Sequence, residues 1–134
     1  MNKNIFFEKI DPFDFNPGIF SKIENLIQNE NKTKGDLSFI FCSDDYLLDI
    51  NKKYLNHDFY TDVITFDYSE NNILSGDVFI SIDRVKENAG TFNVPFEEEL
   101  QRVMIHGVLH LAGYKDKTDK EKKQMTDKEN FYLK

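Results

Sequence analysis

One run constrains this chain more than any other: His106-Gly107-Val108-Leu109-His110-Leu111-Ala112-Gly113-Tyr114-Lys115-Asp116. Its apolar spacing predicts a helix. Histidines four residues apart on a helix lie on one face, about one turn from each other, where they can share a metal ion. Gly113 stands where such a helix would end, and Asp116 follows the turn as a third potential ligand. The chain has only three histidines, and two of them are here. A metal site in a domain of enzyme size suggests hydrolysis.

At about 100° per residue, Glu99, Arg102, His106 and His110 share one stripe of this helix. Leu100, Met104, Gly107, Val108 and Leu111 form the neighbouring apolar stripe. The histidines are therefore expected at the border of the core, dry enough to bind a metal and open enough to admit substrate. The plainer alternative is a pair of partly exposed helix histidines with no ligand role. The glycine turn, with a carboxylate returning three residues later, argues for the metal. Zinc proteases of the His-Glu-x-x-His type carry a general base directly after the first histidine. Here that position is Gly107, which cannot take a proton, so peptide hydrolysis by that route is not expected. RNA offers an escape, because its own 2′-hydroxyl can serve as nucleophile when a metal or basic groups assist it.

The length, 134 residues, points to one domain with one core, residues 1–134. With 40% apolar residues and 13 Phe, the chain can bury that core. No apolar run approaches the roughly 20 residues of a membrane span. The start, Met1-Asn2-Lys3-Asn4-Ile5-Phe6-Phe7, is too short an apolar stretch for a signal peptide. A single cysteine, Cys42, cannot form an internal disulfide and is expected to serve packing. These features together predict a cytoplasmic protein with no membrane partner. The net charge of -7 argues against non-specific nucleic-acid binding, and DNA is not an expected partner. Residues 115–134 nevertheless hold seven Lys against five Asp and Glu, read as a solvated helix face.

Residues 5–7 read as a short strand. Asn16 and Pro17 form an N-cap and N1 pair that opens a helix with Phe20, Ile23 and Ile27 on one face. Gly35 is expected to end a turn before a strand at 37–42. Ser43 then caps a helix carrying Leu47, Ile50 and Tyr54. Residues 55–60 read as loop and 61–66 as strand. Asn71-Asn72 and Gly76 are expected to bracket a turn into a strand at 77–82. A short helix to about Ala89, the histidine helix opened by Pro95, and a last helix at 119–132 complete the chain. The expected class is α/β (α+β), a small mixed sheet flanked by helices.

His106-Gly107-Val108-Leu109-His110-Leu111-Ala112-Gly113-Tyr114 resembles the signature of the YbeY family of metal-dependent bacterial endoribonucleases, His-Gly-x-Leu-His-Leu-x-Gly-Tyr-Asp-His. Thr61-Asp62-Val63-Ile64-Thr65-Phe66 is similar to the family's Thr-Asp-Val-Leu-Ser-Phe, Gly76-Asp77-Val78 to its Gly-Asp-Ile, and Glu99-Leu100 to a Glu-Leu pair before the histidine helix. Four ordered motifs over residues 37–125 are a specific match. The resemblance implies a cytoplasmic, zincin-like α/β protein binding one zinc ion (Zn2+) per chain. It implies an endoribonuclease acting on single-strand-type RNA, in small-subunit ribosomal RNA maturation and ribosome quality control. Its expected partners are ribosomal RNA and components of the small subunit.

Two departures from the family pattern stand out. The family's usual third ligand is a histidine where this chain has Asp116, and its preceding Asp is Lys115 here. Two histidines and one carboxylate remain a competent zinc set, with one less unit of positive charge. The family's usual Tyr-Arg-Gly, whose Arg is associated with RNA handling, is Tyr54-Leu55-Asn56 here. Lys52, Lys53 and His57 are the cationic or titratable groups left in that stretch.

The candidate catalytic set is therefore His106, His110, Asp116 and His57. His57 is read as a general base, a phosphate contact or a plain surface-loop histidine. Asp62 is expected on the face of Ile64 and Phe66, either capping backbone or orienting a ligand. Glu99 either accepts from a ligand histidine's second nitrogen or pairs with Arg102. Two other functions stay open: a metal-dependent hydrolase of a small ester or amide, and a ribosome-associated factor with a mainly structural metal.

Overall fold

The β-branched and aromatic runs assemble one four-stranded sheet in the computed structural model, which describes residues 4–134. Residues 1–3, which open the N-terminal stretch read above, lie outside the described residues. The strands are β1 (Ile5–Glu8), β2 (Thr33–Cys42), β3 (Val63–Asp67) and β4 (Ile73–Ser81), in spatial order β1-β2-β4-β3. β1, β2 and β4 run parallel, and β3 closes one edge antiparallel to β4. The helices are α1 (Gly18–Asn29), α2 (Asp44–Leu55), α3 (Ile82–Phe92), α4 (Phe96–Leu111) and α5 (Asp119–Leu133). The expected mixed sheet flanked by helices is what forms.

Local chemistry sets the element ends. The Asn16 side chain accepts from the Gly18 amide at 2.9 Å, as an N-cap should. Ser43 accepts from the Tyr46 amide at 3.2 Å and opens α2. Thr118 and Glu121 form a reciprocal capping box at the start of α5. α2 packs on one face of the sheet, where Leu47 meets Cys42 and Ile64. The larger core lies on the opposite face, where α1, α4 and α5 bury Ile19, Ile23, Leu100, Met104, Val108 and Tyr132 against Leu37, Phe39 and Val78.

Several boundaries differ from the sequence reading. Gly35 does not end a turn; it lies inside β2, at the irregularity between Lys34 and Leu37. Gly76 is not in the turn either. Asn71 and Asn72, both with positive φ, supply that turn alone, and Gly76 pairs with Leu37 in mid-sheet. β3 starts at Val63, two residues later than expected, and Ile82 opens α3 instead of ending a strand. Tyr54 does not join the buried face of α2. It is exposed and meets Phe66 edge-on at 5.9 Å.

Two glycines let α4 lie close on the sheet. A Cβ on Gly107 would stand 2.6 Å from Val78 Cγ1, and one on Gly76 would meet the Phe66 carbonyl oxygen of β3 as well as Leu111 Cδ2, the latter at 2.7 Å. These contacts are too close for real atoms, so each site tolerates only hydrogen. Val78 is fully buried and β-branched and has little room to move. We therefore expect Gly107→Ala to destabilise the fold by about 1–3 kcal/mol, seen as a lower denaturant midpoint. Gly90→Ala is the control. Its Cβ would meet nothing within 4 Å in mid-α3, so it should be neutral or slightly stabilising. A Gly107→Ala midpoint equal to wild type would refute the close seat.

Candidate metal centre

α4 carries His106 and His110 one turn apart at the edge of its buried face, both partly exposed. After the helix, Gly113 turns the chain with φ +109°. Asp116 then returns over the histidines. Three atoms converge: His106 Nε2 and His110 Nε2 are 3.0 Å apart, and Asp116 Oδ2 lies 3.2 Å from the first and 3.4 Å from the second. Among the described residues this is the one His, Cys, Asp and Glu group that could hold a metal ion. The structure thus brings together the three residues that the sequence singled out.

The other ring nitrogens explain why these atoms face inward. His106 Nδ1 lies 2.7 Å from Glu129 Oε2, and His110 Nδ1 lies 3.0 Å from the Tyr114 carbonyl. A carboxylate and a carbonyl only accept, so each Nδ1 carries the donated hydrogen. In its neutral form each ring presents an unprotonated Nε2 to the cluster. The three facing atoms, 3.0–3.4 Å apart, can be satisfied by a proton on one Nε2 or by a cation among them. Ligand atoms about 2.0–2.2 Å from a tetrahedral zinc ion would be roughly 3.3 Å apart, so the triangle has the right size.

Electrostatics separate the two rings. Burial opposes charge on His106, but Glu129 against Nδ1, with Asp116 and Asp62 nearby, outweighs it and holds the ring above its usual range. Burial and the neighbouring His106 hold His110 below that range. Burial pushes Asp62 up, against the pull of His106. Burial likewise raises Glu99, with Asp62 adding to it and Arg102 opposing.

Several residues take other places than expected. Asp62 does not share the face of Ile64 and Phe66. It precedes β3, so strand alternation does not reach it, and its carboxylate accepts from Asn88 of α3 at 3.4 Å. Glu99 makes neither contact proposed for it; Glu129 of α5 makes both. Glu129 Oε2 meets His106, and Glu129 Oε1 accepts from Arg102 at 2.8 Å. Glu129 was missed by sequence reasoning. A signal did exist: Met125, Glu129 and Tyr132 form the buried stripe of α5, and a carboxylate in such a stripe needs a partner.

Glu30 was also missed. At the end of α1 it accepts from Tyr114 Oη at 2.7 Å, from Tyr132 Oη, and from Lys128 Nζ at 3.3 Å. These bonds tie the turn after α4 to α1 and α5. Lys115 is exposed and does not point into the cluster. Cys42 packs as expected; burial pushes its thiol up to about 12, and its Sγ lies 3.4 Å from the Ile80 carbonyl.

A cleft of about 240 Å³ opens beside His110, lined by Asn51, Leu55, His57, Phe59 and the start of β3. His57 is therefore beside the cluster, in the cleft wall. The lysines are not. Lys52 pairs with Asp58 at 3.5 Å on the surface, and neither Lys52 nor Lys53 lines the cleft.

The profile described as "Endoribonuclease YbeY" matches residues 7–134. The Endoribonuclease YbeY of Flavobacterium psychrophilum is 58% identical over 84% of this chain and 80% of its own length. That of Karelsulcia muelleri is 55% identical over 89% of this chain and 85% of its own. A Thermotoga maritima protein solved in solution superposes with a TM-score of 0.66 at 33% identity, over 96% of this chain and 86% of its own. A profile that spans nearly the whole chain, and relatives more than half identical over most of it, place the chain in the YbeY endoribonuclease family.

Proposed function

We propose that this chain is a single-domain, zinc-dependent endoribonuclease, with His106, His110 and Asp116 as the ligands of one ion. The observation that carries the reading is the triangle of Nε2, Nε2 and Oδ2 atoms, each aimed inward by a neighbouring tether. An ion bound there supplies Lewis acidity at a phosphoryl oxygen and lowers the proton affinity of water. Three protein donors beside an open cleft are the arrangement of catalytic zinc; structural zinc sites close with four. This favours a catalytic role over the purely structural metal of the ribosome-factor alternative.

The protein's own groups do the positioning. Glu129, held by Arg102, fixes the His106 ring and its tautomer. The Tyr114 carbonyl does the same for His110 and is itself anchored through the Tyr114 hydroxyl on Glu30. Gly107 leaves no side chain beside the cluster to act as a protease base. His57, in the cleft wall, takes the role of an RNA contact. The substrate class is single-stranded RNA; the relatives' name, endoribonuclease, supports RNA as the polymer cut. The cellular setting we propose is cytoplasmic maturation of small-subunit ribosomal RNA and ribosome quality control. Among the described residues, no helix is long and apolar enough to cross a membrane.

Zinc-loaded protein should cut single-stranded fragments of small-subunit ribosomal RNA, and a chelator should stop it. Asp116→Ala should lose zinc and cleavage together. Unchanged zinc affinity would remove Asp116 from the ligand set. No cleavage of any RNA by zinc-loaded wild type would refute the assignment, and chelator-sensitive digestion of unfolded protein would point to a peptidase instead.

Glu129→Ala should bind zinc about 10–100-fold more weakly, because His106 loses the partner that orients it. Competition with a chromogenic chelator measures this directly. Wild-type zinc affinity in that variant would show that the tether has no role at the site.

A further inference from the structure

Among the described residues, the cleft beside His110 is lined by no permanent cation. For a protein of net charge -7 that acts on a polyanion, this wall cannot hold its substrate by phosphate contacts alone. What the wall offers instead is rings. His57 and Phe59 stack on each other, with centroids 5.1 Å apart and planes 21° from parallel. Phe59 is 55% exposed and Leu55 is 39% exposed, and both line the same cleft as His57 and His110, so the apolar surface and the ring pair adjoin the cluster.

The stack is held in place before any ligand arrives. Asn51 of α2, only 1% exposed, donates from Nδ2 to the Phe59 carbonyl at 2.9 Å, and its own carbonyl accepts from the His57 amide at 3.1 Å. Asn56 ends α2 in the left-handed conformation and turns the chain into this loop. Beyond the stack, Tyr60 donates to Asp45 at 3.1 Å and lies under the Arg84 guanidinium at 5.0 Å. The segment is thus tied at both ends, and its rings face a cleft that ends at His110.

We infer that the Phe59–His57 ring pair is the seat for one unpaired nucleobase of the RNA substrate, next to the His106, His110 and Asp116 cluster. The inference rests on the endoribonuclease reading and adds its basis for selectivity. A base adds to the exposed side of an existing stack only if it is free of its own duplex, so the wall selects single strands. Stacking tolerates any base, so it sets structure preference and not sequence. Thr61, ahead of β3, and Thr65, in mid-β3, line the same cleft and offer hydroxyls to a base edge or ribose.

The test is a short single-stranded RNA with 2-aminopurine at one position and 2′-O-methyl sugars that block cleavage, titrated against zinc-loaded protein. Wild type should quench the probe as the base stacks. Phe59→Ala should abolish the quench and weaken binding about ten-fold or more, with zinc content unchanged. Phe59→Trp should restore both. Phe131→Ala, an exposed aromatic on α5 outside the cleft, should behave as wild type. The same probe in a duplex should bind weakly. The inference is overturned if Phe59→Ala quenches and binds like wild type, or if the duplex binds as well as the single strand. If wild type cuts RNA while Phe59→Ala cuts it with the same KM, the base seat falls and the endoribonuclease reading stands. If wild type neither binds nor cuts RNA, both fall.

Discussion

α4 is laid against the sheet at Gly107, where the helix backbone meets Val78 with no side chain between. That contact fixes the rotation of α4 about its axis. Met104, Val108 and Leu111 are driven into the core, each worth about 1.5–3 kcal/mol when fully buried. His106 and His110, on the adjoining stripe, are left at the rim. The histidines are partly shielded, so their charges and hydrogen bonds matter, and they remain accessible from the cleft. A bulkier residue at 107 would lift or turn the helix and move both rings at once.

Polar tethers complete what packing begins. α5 brings Glu129 to His106, and the chain after Gly113 brings the Tyr114 carbonyl to His110 and Asp116 over both. Glu30 joins α1 to the turn and to α5 through two tyrosine hydroxyls and a lysine. α4, the turn after it and α5 therefore converge on one cluster, with α1 bracing the turn through Glu30.

The cluster itself was legible in the sequence because its ligands are local. Helical spacing, a glycine turn and a carboxylate three residues later are all short-range facts. Glu129 and Glu30 were not legible in the same way, since their partners lie 23 and 84 residues away, and only tertiary packing brings them together. The glycines show the same limit. Gly113 ends a helix through its backbone, as expected, whereas Gly35 and Gly76 look like turn residues and lie in strands. Gly76 is there because the Phe66 carbonyl of β3, with Leu111 of α4 above it, leaves no room for a side chain, a constraint that no local pattern carries. Asp62 misled for a similar reason: alternation was extended past the start of β3. Nearness in sequence makes Lys52, Lys53 and His57 the candidates for phosphate, but both lysines sit on α2 and outside the cleft lining, Lys52 turned to Asp58, and His57 stands at the cleft with Phe59.

The central claim is that the fold presents two imidazole nitrogens and one carboxylate oxygen to a single ion. Zinc K-edge X-ray absorption on protein loaded with one equivalent of zinc tests it most directly. The account predicts a shell of nitrogen and oxygen only, at about 2.0–2.2 Å, with multiple scattering from two imidazoles. His110→Ala should leave one imidazole at most. A sulfur shell near 2.3 Å, which would implicate Cys42, or a wild-type spectrum without two imidazoles would contradict it.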